Sequence, residues 1–138
     1  MKIIETNHIV KSYAHTKAID DISIQVNQAD IYGLIGLNGA GKTTLIRTLL
    51  RMIKPGSGNI KLFGQELGAN FNRWNDIGYL VETPHSYTQL TVYENLKVIS
   101  KLRNLTDPTV IDRIIEYLKL IKYRNVKANA LSLGNQQR

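Results

Sequence analysis

The residues best suited to chemistry are GLNGAGKTT at 36–44, which fit G-x-x-x-x-G-K-[ST]. Gly36, Asn38, Gly39 and Gly41, with the small Ala40 and the single apolar Leu37, leave little side-chain bulk around the turn. Successive backbone N–H groups can therefore converge on phosphate oxygens. Lys42 supplies a cation for β and γ phosphates, Thr43 places a hydroxyl where a Mg²⁺ ion bridging those phosphates would sit, and Thr44 ends the run of nine candidate phosphate-binding residues. A helix opening here adds the positive end of its dipole. The chemistry indicated is the binding of a nucleoside triphosphate.

Such a loop needs a strand before it and a helix after it. The apolar run Ile31 to Ile35 reads as the strand. Leu45, Ile46, Leu49, Leu50 and Ile53 give the helical repeat, ended by Lys54-Pro55-Gly56. Upstream, residues 2–11 and 18–26 read as strands, with Ile22, Ile24 and Val26 on one face; 27–30 is a turn, 55–59 another, and 59–64 a short strand. Ile77 to Val81 reads as a further buried strand.

From Glu82 the pattern turns helical. Thr91 with Glu94 forms a capping box ahead of the apolar stripe Val92, Leu96, Ile99 and Leu102. Asp107 and Pro108 read as N-cap and first helical position of a second helix, whose repeat Val110, Ile111, Ile114, Ile115, Leu118 runs on to Ile121. Ser132 reads as the N-cap of a last helix near Leu133. Because the sequence stops two turns into that helix, the expectation is a truncated chain.

Composition narrows the function classes. With 138 residues, 43% apolar and 21% charged, the chain has the make-up of one modest globular core. It has no cysteine, so no disulfide or thiolate metal site, and no apolar stretch of the roughly 20 residues needed to span a bilayer. The net charge of +7 comes from scattered cations such as Lys97, Lys101, Arg103, Lys119, Lys122 and Arg124. Without a dense basic run no nucleic-acid partner is expected. His8, His15 and His85 lack metal-ligand spacing.

About ninety residues after the phosphate loop comes LSLGNQQR at 131–138. The two motifs in this order resemble the ATP-binding domain of ABC transporters, whose signature reads LSGGQ followed by Gln-Arg. The resemblance covers the whole chain and implies an α/β fold, a P-loop NTPase core with an N-terminal antiparallel β subdomain (together 1–81) and a partial α-helical subdomain with the signature (82–138). It implies ATP and Mg²⁺ as ligands. Tyr13, 29 residues before Lys42, falls where the family places an aromatic ring on adenine. Glu82 replaces the family's glutamine that touches the Mg²⁺ shell, a departure found in the subgroup handling lantibiotics and related peptide antibiotics. Ser132 and Gly134 match the signature residues that contact the γ-phosphate held by a second ATP-binding subunit in a head-to-tail dimer. Leu133 and Asn135 depart from the consensus.

The resemblance implies the ATP-binding subunit, in fragment form, of a bacterial exporter, cytoplasmic and held at the inner membrane face by membrane-spanning permease subunits. The acidic strand, catalytic glutamate and switch histidine of the family would follow Arg138. Negligible ATPase activity is therefore expected of this polypeptide, together with uncovered edges beside Ile31–Ile35 and Ile77–Val81 that invite aggregation. The alternatives are a cytoplasmic cassette ATPase acting on ribosomes or DNA, and a fragment without a function of its own.

Overall fold

Twelve residues, Lys2–Tyr13, form one long strand (β1) around which the first half of the chain is built. The computed structural model describes residues 1–81 and 86–138 and falls into two units, 1–82 and 83–138. In the first unit β1 is followed by β2 (Thr16–Ile22), β3 (Gln25–Asn27), α1 (Lys42–Leu49), β4 (Ser57–Leu62) and β5 (Gln65–Glu66). One edge of β1 pairs antiparallel with β2 and, nearer its start, with β3; the other edge pairs with β4, which pairs with β5.

A single buried hydroxyl joins β2 to β3. Thr6 is buried, and its Oγ1 donates to the Ile22 carbonyl at 3.2 Å and accepts from the Ile24 N–H at 2.9 Å. This satisfies the backbone groups that the break in pairing would otherwise strand. The break also explains why Ile22 is exposed while Ile24 and Val26 turn inward, where simple alternation places all three on one face. The link from β4 to β5 is a two-residue turn with both Phe63 and Gly64 at positive φ, the conformation that matches strand twist.

Ile9, Ile19, Leu45, Ile60, Leu62 and Phe71 make the core of this unit, so α1 is held to the sheet through Leu45 and the buried Thr48, whose hydroxyl donates to the Thr44 carbonyl. The helix ends at Leu49 rather than running to Ile53. Arg51 takes a φ of +57°, and the N–H groups of Met52 and Ile53 both return to the Arg47 carbonyl.

Two expected strands are absent. Residues 31–35 and 77–81 lie in no strand. Ile31 and Ile35 are almost fully exposed, at 103% and 96%. The physical reason is that strand structure is made by hydrogen bonds to a neighbour, and among the described residues neither segment has a neighbouring strand.

The second unit holds α2 (Val92–Leu102), α3 (Val110–Tyr117) and α4 (Leu133–Gln136) around Val92, Ile115 and Leu120. The Thr91–Glu94 capping box forms in full. Asn95 anchors the preceding loop, accepting from the Tyr87 N–H and donating to the carbonyls of Tyr87 and Leu90. Of the expected α2 stripe, Val92 and Leu96 pack inward, whereas Ile99 and Leu102 stay exposed. At α3 the helix proper begins after Thr109, but Asp107 still performs the capping chemistry, accepting from the Thr109 N–H at 2.8 Å. The helix stops at Tyr117 instead of reaching Ile121, with Lys119 in the left-handed region.

Candidate functional site

Gly41 is the pivot of the loop at 36–44. It is the N-cap of α1 with φ +86°, and no side chain caps the helix. A Cβ at this position would lie 2.0 Å from the Ala18 carbonyl oxygen of β2. Only glycine fits both the left-handed backbone and that approach. Gly39 also has φ +82°, but the space around it is open, so its demand is conformational alone. The Ala40 N–H donates to the Leu37 carbonyl at 3.2 Å, closing the turn, and the Leu45 N–H donates to the Gly41 carbonyl at 2.8 Å, starting the helix.

The first N–H groups of any helix lack intrahelical acceptors, and α1 carries no acidic residue in its first turn to take them up. This end of the helix therefore presents partial positive charge. Lys42 adds a full charge. Its Nζ donates to the Gly36 carbonyl at 2.7 Å and to the Leu37 carbonyl at 2.8 Å, which seats the ammonium inside the curve of its own loop. Thr43 and Thr44 follow it on α1, half-buried, and residues 31–40 are exposed throughout. An exposed loop with a cation at its centre and an uncapped helix beneath it has the electrostatics that favour an anion.

A cavity of about 400 Å³ adjoins the loop. Gly39 to Lys42 and Leu45 form one side, and Lys17 to Asp20 of β2 the other. Tyr13 is not among its lining residues. It sits at the end of β1, paired with Thr16 across the hairpin, about half exposed, with Lys11 Nζ 5.2 Å from its ring centroid. Lys17 and Asp20 are charged residues on this wall. Nothing in their spacing marks them, because an irregular register of β2 brings them to the cavity.

Glu82 lies outside the described residues. In the second unit Ser132 occupies the N-cap position of α4 but makes no side-chain cap hydrogen bond. The reason is local: the Asn135 N–H that a capping hydroxyl would take donates to the Ser132 carbonyl instead, at 2.9 Å. Gly134 follows in the first turn, with open space where a Cβ would be. Gln136 pins the segment, its Nε2 donating to the carbonyls of Ala128 and Leu131. Hydrogen bonds from Lys122 and from the Asn135 side chain hold the Tyr123 phenol below its ordinary pKa.

Comparison with known proteins gives a consistent result. A family model described as ABC transporter matches residues 19–138. The chain is 41% identical over 137 residues to the bacitracin transport ATP-binding protein BcrA of Bacillus licheniformis, covering 99% of this chain and 45% of that protein. It is 36% identical over 137 residues to the protein of the same name from Enterococcus faecalis, covering 99% and 44%. The chain thus spans a little under half the length of these curated relatives. Among solved structures, an ATP-binding cassette of an ABC transporter aligns with a TM-score of 0.82 at 27% identity, covering 99% of this chain and 62% of the other. A nucleotide-free cassette from an ABC transporter aligns with a TM-score of 0.76, also at 27% identity, covering 99% and 62%.

Proposed function

The chain belongs to the ABC transporter family, and from that premise we propose that residues 36–44 hold the phosphates of ATP within the ATP-binding subunit of a bacterial exporter. The observation that carries this reading is the seating of the Lys42 ammonium among the loop carbonyls, above an uncapped helix start. The bacitracin transport proteins among the relatives favour a cargo of the bacitracin kind, with lantibiotics the neighbouring class. The cargo itself does not touch this chain.

As the triphosphate enters, Lys42 exchanges two neutral carbonyl acceptors for phosphate oxygens, which are stronger acceptors for an ammonium. The backbone N–H groups of the loop and of the first turn of α1 take the remaining phosphate oxygens. Tyr13 offers one ring face to adenine, a stack that contributes roughly 1–3 kcal/mol. Among the described residues no three His, Cys, Asp or Glu side chains cluster as a metal site. Thr43, half-buried in the first turn of α1 beside Lys42, carries a hydroxyl that would hold a phosphate-bound Mg²⁺ ion, and following the resemblance the Glu82 carboxylate would share it; such sharing between protein and phosphate is usual for this ion. The chemistry the ion would supply when bound is neutralisation of phosphate charge.

The partners in this reading are a second ATP-binding subunit, whose nucleotide meets Ser132 and Gly134, and membrane-spanning permease subunits that hold the assembly at the cytoplasmic face. Among the described residues no helix is long and apolar enough to cross a membrane. Calorimetric titration of the chain with Mg²⁺-ATP tests the site. Saturable binding that Lys42→Ala removes is the expected result, and equal binding by both proteins would place the nucleotide elsewhere.

A further inference from the structure

The wall of the cavity opposite the phosphate loop carries a charge pair. Lys17 Nζ lies 2.9 Å from Asp20 Oδ1, with both side chains about 60% exposed. The register of β2 explains why they face the cavity. Lys11 of β1 pairs with Ile19, while the next residue, Ser12, pairs with Lys17, so β2 places two steps opposite one and Ala18 is the additional residue. A bulge of this kind re-aims the side chains beside it. The same bulge presents the Ala18 carbonyl to Gly41, which fixes the distance between this wall and the loop.

Position along β2 then orders the site. Thr16 pairs with Tyr13, and Ala18 abuts Gly41. Two strand residues span about 6.6 Å. Lys17 sits between them, between the ring that would take the base and the loop that would take the terminal phosphates. A nucleotide lying across both has its ribose and α-phosphate at this point.

We propose that Lys17 is a binding residue for the α-phosphate of the nucleotide, released from Asp20 when the nucleotide enters. The inference rests on the reading of residues 36–44 as the phosphate loop. An exposed ion pair costs little to open, and a phosphate oxygen is a better acceptor for the freed ammonium. Asp20 competes for Lys17 with the nucleotide. Its removal therefore leaves affinity unchanged or raises it.

The test is calorimetry on the full chain with Mg²⁺-ATP, Mg²⁺-ADP and inorganic pyrophosphate, comparing the unaltered protein with Lys17→Ala, Lys17→Arg, Asp20→Asn and Lys42→Ala. Lys17→Ala is expected to weaken ATP and ADP about tenfold, the scale of one charge-assisted hydrogen bond, and to leave pyrophosphate unchanged, because pyrophosphate fills the loop alone. Lys17→Arg should recover most of the loss, and Asp20→Asn should bind ATP at least as tightly as the unaltered protein. Unchanged ATP affinity in Lys17→Ala, an equal loss for pyrophosphate, or weaker binding by Asp20→Asn would each overturn the proposal while leaving the loop in place. Failure of the unaltered chain to bind any of the three ligands would instead overturn the loop reading on which it depends.

Discussion

Replacing Gly41 with alanine separates two demands that the phosphate loop makes on the chain. A left-handed backbone costs an L-residue roughly 1–2 kcal/mol. Gly39 and Gly41 share that demand, with φ of +82° and +86°. Only Gly41 adds a steric one, since its Cβ would lie 2.0 Å from the Ala18 oxygen, a backbone atom in a paired strand that cannot swing aside. Overpacking of this sort costs roughly 1–3 kcal/mol more. Gly39→Ala is thus expected to lose about 1.5 kcal/mol and Gly41→Ala about 3.5 kcal/mol. Gly68→Ala, at ordinary φ with open space around the added carbon, is the control and should be neutral or slightly stabilising. Urea unfolding followed by Trp74 fluorescence is a suitable assay, because Trp74 is the only tryptophan and meets the core residue Phe71 edge-on, with ring centroids 4.8 Å apart. With a slope of about 1 kcal/mol per molar urea for a unit of this size, the two alanine variants should differ by about 2 M in midpoint. Coincident midpoints would refute the close approach of β2 to the loop, and with it the wall on which Lys17 is placed.

Four further outcomes are expected. Thr6→Val leaves the Ile22 carbonyl and the Ile24 N–H without their shared partner and should cost about 2 kcal/mol, read as a lower thermal midpoint of the first unit. Thr91→Ala removes the cap of α2 and should cost about 1 kcal/mol. Hydrogen bonds from the Thr91 N–H and hydroxyl hold the Glu94 carboxyl below its ordinary value of 4.5. Its contribution is therefore fully present above pH 4.5 and fades as pH falls through the lower folded value; helical ellipticity of the protein against pH should show that loss, and Glu94→Gln should flatten it. Replacing Ile31 and Ile35 together by serine removes two nearly fully exposed apolar side chains and should raise the monomer fraction in sedimentation, whereas an unchanged distribution would mean that this segment does not drive association.

Much of the architecture is legible in the chain because it is local. The capping box at Thr91 and Glu94 lies within one helical turn, and the phosphate loop within nine residues. Local hydrogen bonds decide both, so residue type and spacing suffice. The segments 31–35 and 77–81 mislead because an apolar β-prone run declares a preference, while a strand exists only where a neighbour pairs with it. Ile22 misleads for a related reason, since Thr6, sixteen residues earlier, takes over the bonds at the break between β2 and β3. At α3 and α4 the capping residues are identifiable, but which group takes each N–H is not: Asp107 accepts the Thr109 N–H through its side chain, whereas the Ser132 hydroxyl makes no cap and its carbonyl takes the intrahelical bonds. In the candidate site the loop and Lys42 are visible in the sequence. The meeting of Ala18 with Gly41, and with it the placement of Lys17 and Asp20, depends on a bulge in the register between β1 and β2, and no residue type near Ala18 signals it.

Backbone hydrogen exchange with and without Mg²⁺-ATP reads the phosphate contacts themselves, because main-chain N–H groups of the loop are proposed to donate to them. Slowed exchange concentrated in peptides spanning 38–44, absent in Lys42→Ala, is the predicted result. Protection confined to other segments, or protection of 38–44 that persists in Lys42→Ala, would contradict the account.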